Sequence, residues 1–81
     1  MIVIASNLLI NVDKIQTTEL GVKRIQKNLE ISEDVVAYCK VKVVDKNSLI
    51  TRKGKNWYVE NDNCIITINS HSYTIITAHK K

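Results

Sequence analysis

RKGKNWYVENDNCIITINSHSYTIITAH, residues 52–79, holds three short runs rich in Ile, Thr, Tyr, Trp and Val, separated by two clusters of Asn, Asp, Ser and His. Runs of that length and composition between turn-forming clusters spell a three-stranded antiparallel meander. Residues 56–60 form its first strand, 61–63 a turn, 64–69 the next strand, Ser70-His71 a hairpin turn and 72–78 the last strand. Just upstream, residues 49–53 read as a further short edge strand that turns at Gly54, so the sheet has three or four strands.

If Ser70-His71 is a two-residue loop, Ile68 lies opposite Tyr73, Ile66 opposite Ile75 and Cys64 opposite Thr77, all on the side that meets the helices. The other side then carries Ile65, Thr67, Asn69, Ser72, Thr74, Ile76 and Ala78, a mixture of threonine and aliphatic residues that is either open to water or used for contact. Where Trp57 and Tyr58 point depends on the turn at residues 61–63. A two-residue turn puts Trp57 and Val59 inside and leaves Tyr58 outside.

Before residue 47 the apolar period is 3.6 rather than 2. Ile15-Gln16-Thr17-Thr18-Glu19 has the form of a helix start, with a threonine to cap the first N–H groups and an acid in the first turn. The helix runs to about Asn28 and lines up Val22, Ile25 and Leu29, with Lys23, Arg24 and Lys27 turned away. Gly21 costs about 1 kcal/mol of helix propensity relative to Ala, which implies that something packs closely there. Ser32 followed by Glu33 and Asp34 is a second start, for a helix over residues 33–45 that buries Val35, Val36, Cys39 and Val43 and carries Lys40 and Lys42 toward its negative end. Residues 2–12 contain seven aliphatic side chains and form either a short strand or a helical turn, buried in either case.

The fold class is therefore α+β and two-layer, with two N-terminal helices packed on one face of a three- or four-stranded antiparallel sheet. One domain spans residues 1–81, its helical half at about 15–46 and its sheet at about 48–79. A chain of 81 residues buries only about 60 to 65% of its unfolded surface and cannot divide its apolar side chains between two cores. With 44% apolar and 25% charged residues, it belongs among globular rather than disordered chains. Cys39 and Cys64 lie in apolar patterns with no second Cys or His at ligand spacing, so they read as two buried reduced thiols in a cytosolic protein, and no metal or cofactor is implied. The opening MIVIASNLLI lacks a basic leader and is too short to span a bilayer.

The net charge is +4, and residues 48–81 supply +3 of it, five basic groups against Glu60 and Asp62. That excess is compatible with a polyanion such as RNA. Arg52, Lys53 and Lys55 beside Trp57 and Tyr58 combine cations with rings that stack on bases, the composition of a small nucleic-acid patch and equally of a solvated hairpin anchored by two aromatics. It is no phosphate-cradling loop, having one Gly and no Ser or Thr after the Lys. Thr67 and Thr74 on the outer sheet side offer a second contact surface, for a protein partner or a second copy of the chain. Metal-independent RNA cleavage needs a base, an acid and cations for the phosphorane, for which the chain offers His71 and His79, Tyr58 and Tyr73, and Arg52, Lys53, Lys55 or Arg24, with His79, Tyr58, Arg52 and Lys55 the residues to mutate. His71 and His79 sit at opposite ends of one strand, about 25 Å apart at about 3.3 Å per residue, and cannot share one phosphate.

Three blocks, TTELGVKRIQKNL, then RKGKNWYV with Gly54-Lys55-Asn56-Trp57-Tyr58, then ITINSHSYTIITAHK with Thr74-Ile75-Ile76-Thr77-Ala78-His79, resemble a bacterial family known as domain of unknown function 3781, from about Asp13 to Lys80. The resemblance brings no catalytic or binding residue with it. In element order alone the chain is similar to RNase domains of the barnase, colicin and toxin type, in which one or two helices precede a four-stranded antiparallel sheet. Two functional expectations follow. The first is a small non-enzymatic interaction module working through the basic hairpin and the outer sheet face, with a homodimer among its forms. The alternative is a metal-independent RNase of toxin type.

Overall fold

A computed structural model describes residues 8–61 and 63–81, an α+β arrangement of helices followed by a four-stranded antiparallel sheet. Expectations that fall on residues 1–7 and on Asp62 lie outside the described residues. Of the N-terminal aliphatic stretch, Leu8, Leu9 and Ile10 are helical, and a 3-10 turn at Val12–Lys14 follows. Leu8 is wholly buried in the core.

Helix α1 spans Glu19–Leu29, and the Thr18 side chain caps it by accepting from the Gly21 N–H at 3.0 Å. It ends in a Schellman motif: Glu30 takes the left-handed conformation at φ 57°, its N–H reaches Lys27 O, and the Ile31 N–H returns to Gln26 O at 3.0 Å. Helix α2 spans Val35–Val44 and begins two residues later than the sequence suggests. Asp34, not Ser32, is its cap, accepting from the N–H groups of Val36 and Ala37. The reason is local: the Schellman bond commits Ile31 to α1, and an aspartate caps as well as a serine.

The strands are β1 Leu49–Lys53, β2 Asn56–Glu60, β3 Cys64–Asn69 and β4 Ile75–Lys80, and they lie in chain order across the sheet. Gly54 at φ 61° is the first of the two residues joining β1 to β2, where the twist of a tight hairpin demands a positive φ. The Asn61 N–H donates to Cys64 O at 2.9 Å, which gives the β2–β3 hairpin its two-residue register. Trp57 and Val59 accordingly point into the core and Tyr58 points out.

The β3–β4 connection corrects the two-residue hairpin expected at Ser70-His71. The Asn69 N–H bonds Thr74 O, four residues separate the two, and the Asn69 side chain accepts from the N–H groups of His71 and Ser72. Tyr73 takes φ 58° to close the loop. Ile68 therefore faces Ile75 rather than Tyr73, and a bulge beside Thr67 and Ile68 makes Ile76 an extra residue in β4. The phase of the strand shifts there. Ala78, expected outside, is buried at 0% exposure, while Thr77, expected inside, pairs with Thr67 on the outer side.

One core cluster joins Leu8, Ile15, Ile25, Leu29, Val35, Cys39 and Val43 to Trp57, Val59, Cys64, Ile66, Ile68, Ile75 and Ala78. Gln16 makes a parallel bridge with Thr74, and the Thr17 hydroxyl donates to Ile75 O at 3.2 Å, so the segment before α1 borders the start of β4. On the far edge, β1 pairs with β2 alone among the described residues.

Candidate functional site

Alternation along four strands sorts the candidate residues onto two sides. The register places Thr51, Tyr58, Thr67 and Thr77 in one row across the outer face. Lys53, Asn56 and Asn69 form the next row, toward the Gly54-Lys55 turn. On the other flank, Leu49, Glu60, Ile65 and His79 form a third. Tyr58 is half-buried, Lys53 and Thr51 are exposed, and Thr67 retains only 9% of its surface. A shallow groove of about 480 Å³ is lined by Thr51, Lys53, Gly54 and Tyr58. Gly54 borders open space, since a Cβ built there would meet nothing within 4 Å.

The first two rows contain three threonines, two asparagines, one tyrosine and one lysine, and no carboxylate. Lys55 follows in the turn, and its carbonyl accepts from the Ser70 N–H at 2.8 Å, which brings the two loops of this end of the sheet side by side. The side chains of Lys53 and Lys55 make no ion pair among the described residues. Glu60, the acid of the third row, is tied to Lys81 at 2.8 Å. This end of the outer face is thus positive, rich in hydroxyl and amide groups, and equipped with one ring.

Arg52 stands on the other side of the sheet. Its guanidinium lies 5.6 Å from the Trp57 ring centroid, and its Nε donates to Gly54 O at 3.1 Å. Trp57 in turn packs on Tyr73, with centroids 5.3 Å apart, and Lys14 sits 5.9 Å from the Tyr73 ring. The result is a cation, two rings and a cation in sequence along the core side, each cation–ring contact worth about 0.5 to 1 kcal/mol where exposed. The Trp57 indole N–H is buried without a hydrogen-bond partner among the described residues, so the ring is held by packing.

Of the residues singled out from sequence, Lys53, Tyr58 and Thr67 come together on the outer face, with Lys55 at its margin. Thr74 does not join them: it bridges to Gln16 and its hydroxyl is engaged by Ser72 Oγ at 2.8 Å, while Thr77 takes the place beside Thr67. The quartet His79, Tyr58, Arg52 and Lys55 does not converge on one point. Arg52 faces the other way, and His79 stands two strands and two residues from Tyr58, about 12 Å at ordinary sheet spacings. His79 has its Nδ1 3.2 Å from Lys80 O. Sequence reasoning missed Asn56 and Thr77 as outer-face neighbours of Tyr58. Asn56 was available from the β1–β2 turn alone, whereas Thr77 depends on a bulge that has no local signal.

Burial pushes the Cys39 thiol up to about 12, with the neighbouring Cys64 adding to the effect. Burial raises Cys64 as well, against a smaller pull from Lys42. Neither thiol is a nucleophile near neutral pH. No group of three or more His, Cys, Asp or Glu side chains among the described residues could hold a metal ion, and no described helix is long and apolar enough to cross a membrane.

Residues 9–79 match the family described as protein of unknown function (DUF3781), and the chain belongs to that family. No curated protein and no solved structure matches it significantly.

Proposed function

We propose that this member of the family is a small cytosolic non-enzymatic interaction module that takes an extended polyanion on the outer face of its sheet. In this reading α1 and α2 form one layer over the Trp57, Val59, Ile66 and Ile75 side, a two-layer domain whose second sheet face is left for the partner. The observation that carries it is the carboxylate-free pair of rows, with Lys53 and Tyr58 in one groove and Lys55 at its edge. A polyanion meeting the ammonium groups of Lys53 and Lys55 releases counterions, so its binding weakens as salt rises.

The test is retention of the purified chain by polyphosphate across a salt series. The wild type is expected to bind at low salt and release at high salt, and Lys53→Gln with Lys55→Gln together should flatten the salt dependence by about 0.7 per lysine removed. Binding that ignores salt or both substitutions refutes the reading. Light scattering in the same buffers reports whether the bound form is one copy or two.

Tyr58 and His79 do share the outer face, which keeps the RNase reading distinct enough to test. Incubation with RNA in a metal chelator separates the two: cleavage lost in Tyr58→Phe and His79→Ala favours the enzyme, and intact RNA with the wild type removes it.

A further inference from the structure

Resting on the polyanion reading, we infer that the partner is single-stranded RNA, with a base stacked on Tyr58 and its backbone running past Lys53 and Lys55. The inference adds three features that a bare polyanion would not need. The first is the ring itself. Tyr58 is the one aromatic side chain in the two rows nearest the Gly54-Lys55 turn, and it forms a wall of the groove rather than part of the core. A groove of about 480 Å³ opening at a side-chain-free Gly54 gives a planar base room to lie against it. Stacking on an aromatic ring is tolerant of sequence, because every base has a π-face.

The second feature is the set of neutral hydrogen-bonding groups around the ring. Thr51 and Thr67 flank Tyr58 across the sheet, Thr77 lies beyond Thr67, and Asn56 lies in the adjoining row. Hydroxyls and amides both donate and accept, which suits the edges of an unpaired base and the 2′-hydroxyl of a ribose. The third feature is the charge arrangement. The ammonium groups lie to one side of Tyr58, at Lys53 and in the adjacent turn, so phosphates are attracted alongside the base rather than over it. Among the described residues the sole acid in these rows, Glu60, is two residues from Tyr58 on the opposite flank and already held by Lys81.

Fluorescence anisotropy with a short labelled mixed-sequence RNA, the same sequence as DNA, and polyphosphate as competitor tests this. The expected result is salt-dependent RNA binding that is tighter than binding of DNA or polyphosphate. Tyr58→Leu should weaken RNA about tenfold and leave polyphosphate unchanged, Tyr58→Phe should retain RNA, and Lys53→Gln should weaken both ligands. Circular dichroism melts of each variant verify that the sheet is intact. If Tyr58→Leu weakens RNA and polyphosphate alike, or neither, stacking is refuted and the polyanion reading stands. If DNA binds as tightly as RNA, the assignment to RNA is overturned. If neither RNA nor polyphosphate binds, both this inference and the reading beneath it fall.

Discussion

Gly21 sits in the first turn of α1, where alanine ought to be the better residue, and the structure says why it is not. A Cβ built on Gly21 runs into the Thr17 hydroxyl and comes within 3.2 Å of the Thr18 hydroxyl. Thr17 holds that position because its hydroxyl donates to Ile75 O at 3.2 Å, tying the foot of α1 to the first residue of β4. Gly21→Ala gains about 1 kcal/mol of helix propensity. To make room, Thr17 must rotate off a part-buried hydrogen bond worth about 0.5 to 1.5 kcal/mol net. In the wild-type background the two cancel, and the expected change is within about 0.5 kcal/mol of zero. In a Thr17→Ala background the closer obstruction is gone and only the Thr18 hydroxyl at 3.2 Å has to give, so Gly21→Ala should stabilise by up to ~1 kcal/mol. The coupling between the two sites is then about 1 kcal/mol, read from a double-mutant cycle of urea transitions followed by Trp57 fluorescence with unchanged m-values. Equal stabilisation by Gly21→Ala in both backgrounds would mean that Thr17 does not constrain the helix, and the reasoning would fail.

The thiols give a pH prediction with a definite sign. Cys39 is raised from 9.0 to about 12, so the folded state holds its proton where the unfolded state loses it, and stability falls as pH climbs through that window, by about 1.4 kcal/mol per pH unit for one group. Denaturation midpoints measured above pH 9 should fall less steeply in Cys39→Ala, and an identical slope counts against the burial argument. Asn61, 8% exposed, donates from Nδ2 to Ser48 Oγ at 2.9 Å and to Asp45 Oδ2 at 3.4 Å, while Ser48 Oγ donates to Lys42 O at 2.6 Å. Asn61→Ala should cost about 2 kcal/mol by stranding these partners. Asn61→Asp should cost more at neutral pH, because it sets a carboxylate against Asp45, and should recover as pH falls and that carboxylate takes up a proton; equal losses at both pH values would show that Asp45 is not its neighbour.

Most of the architecture was legible because it follows from short-range rules. Period 3.6 gave both helices, Ile25, Leu29, Val35, Cys39 and Val43 fell on their buried sides, and period 2 gave the strands. Gly21 announced a close approach, and Thr17 and Thr18 make it. What escaped was set by competition between neighbours. Ser32 is a sound cap by itself, but the preceding Schellman turn and the adjacent Asp34 decide the start of α2. Ser70-His71 looks like a tight hairpin, but Asn69 can satisfy two following N–H groups with one carboxamide oxygen, and that favours a wider loop. Of the site, the turn cations, Tyr58 and Thr67 were legible, and Asn56 and Thr77 were not. Arg52 and Lys53 are adjacent in sequence and therefore point to opposite sides, which composition does not express.

The bulge in β4 links the core to the proposed binding surface. Without it, simple alternation from Ile75 would carry Thr77 inward and Ala78 outward, burying a hydroxyl in an apolar cluster at a cost of roughly 1 to 3 kcal/mol unless it found a partner. One extra residue, Ile76, exchanges them: a small apolar side chain enters the core and a hydroxyl enters the row of Thr51, Tyr58 and Thr67. The same choice is made at the β2–β3 turn, where the Asn61 to Cys64 register fixes Trp57 inward and Tyr58 outward together. A slip of one residue there would bury the phenol and expose the indole. Which residues reach the outer face is therefore specified by the requirements of the core beneath it, through the register of the β2–β3 turn and the bulge in β4.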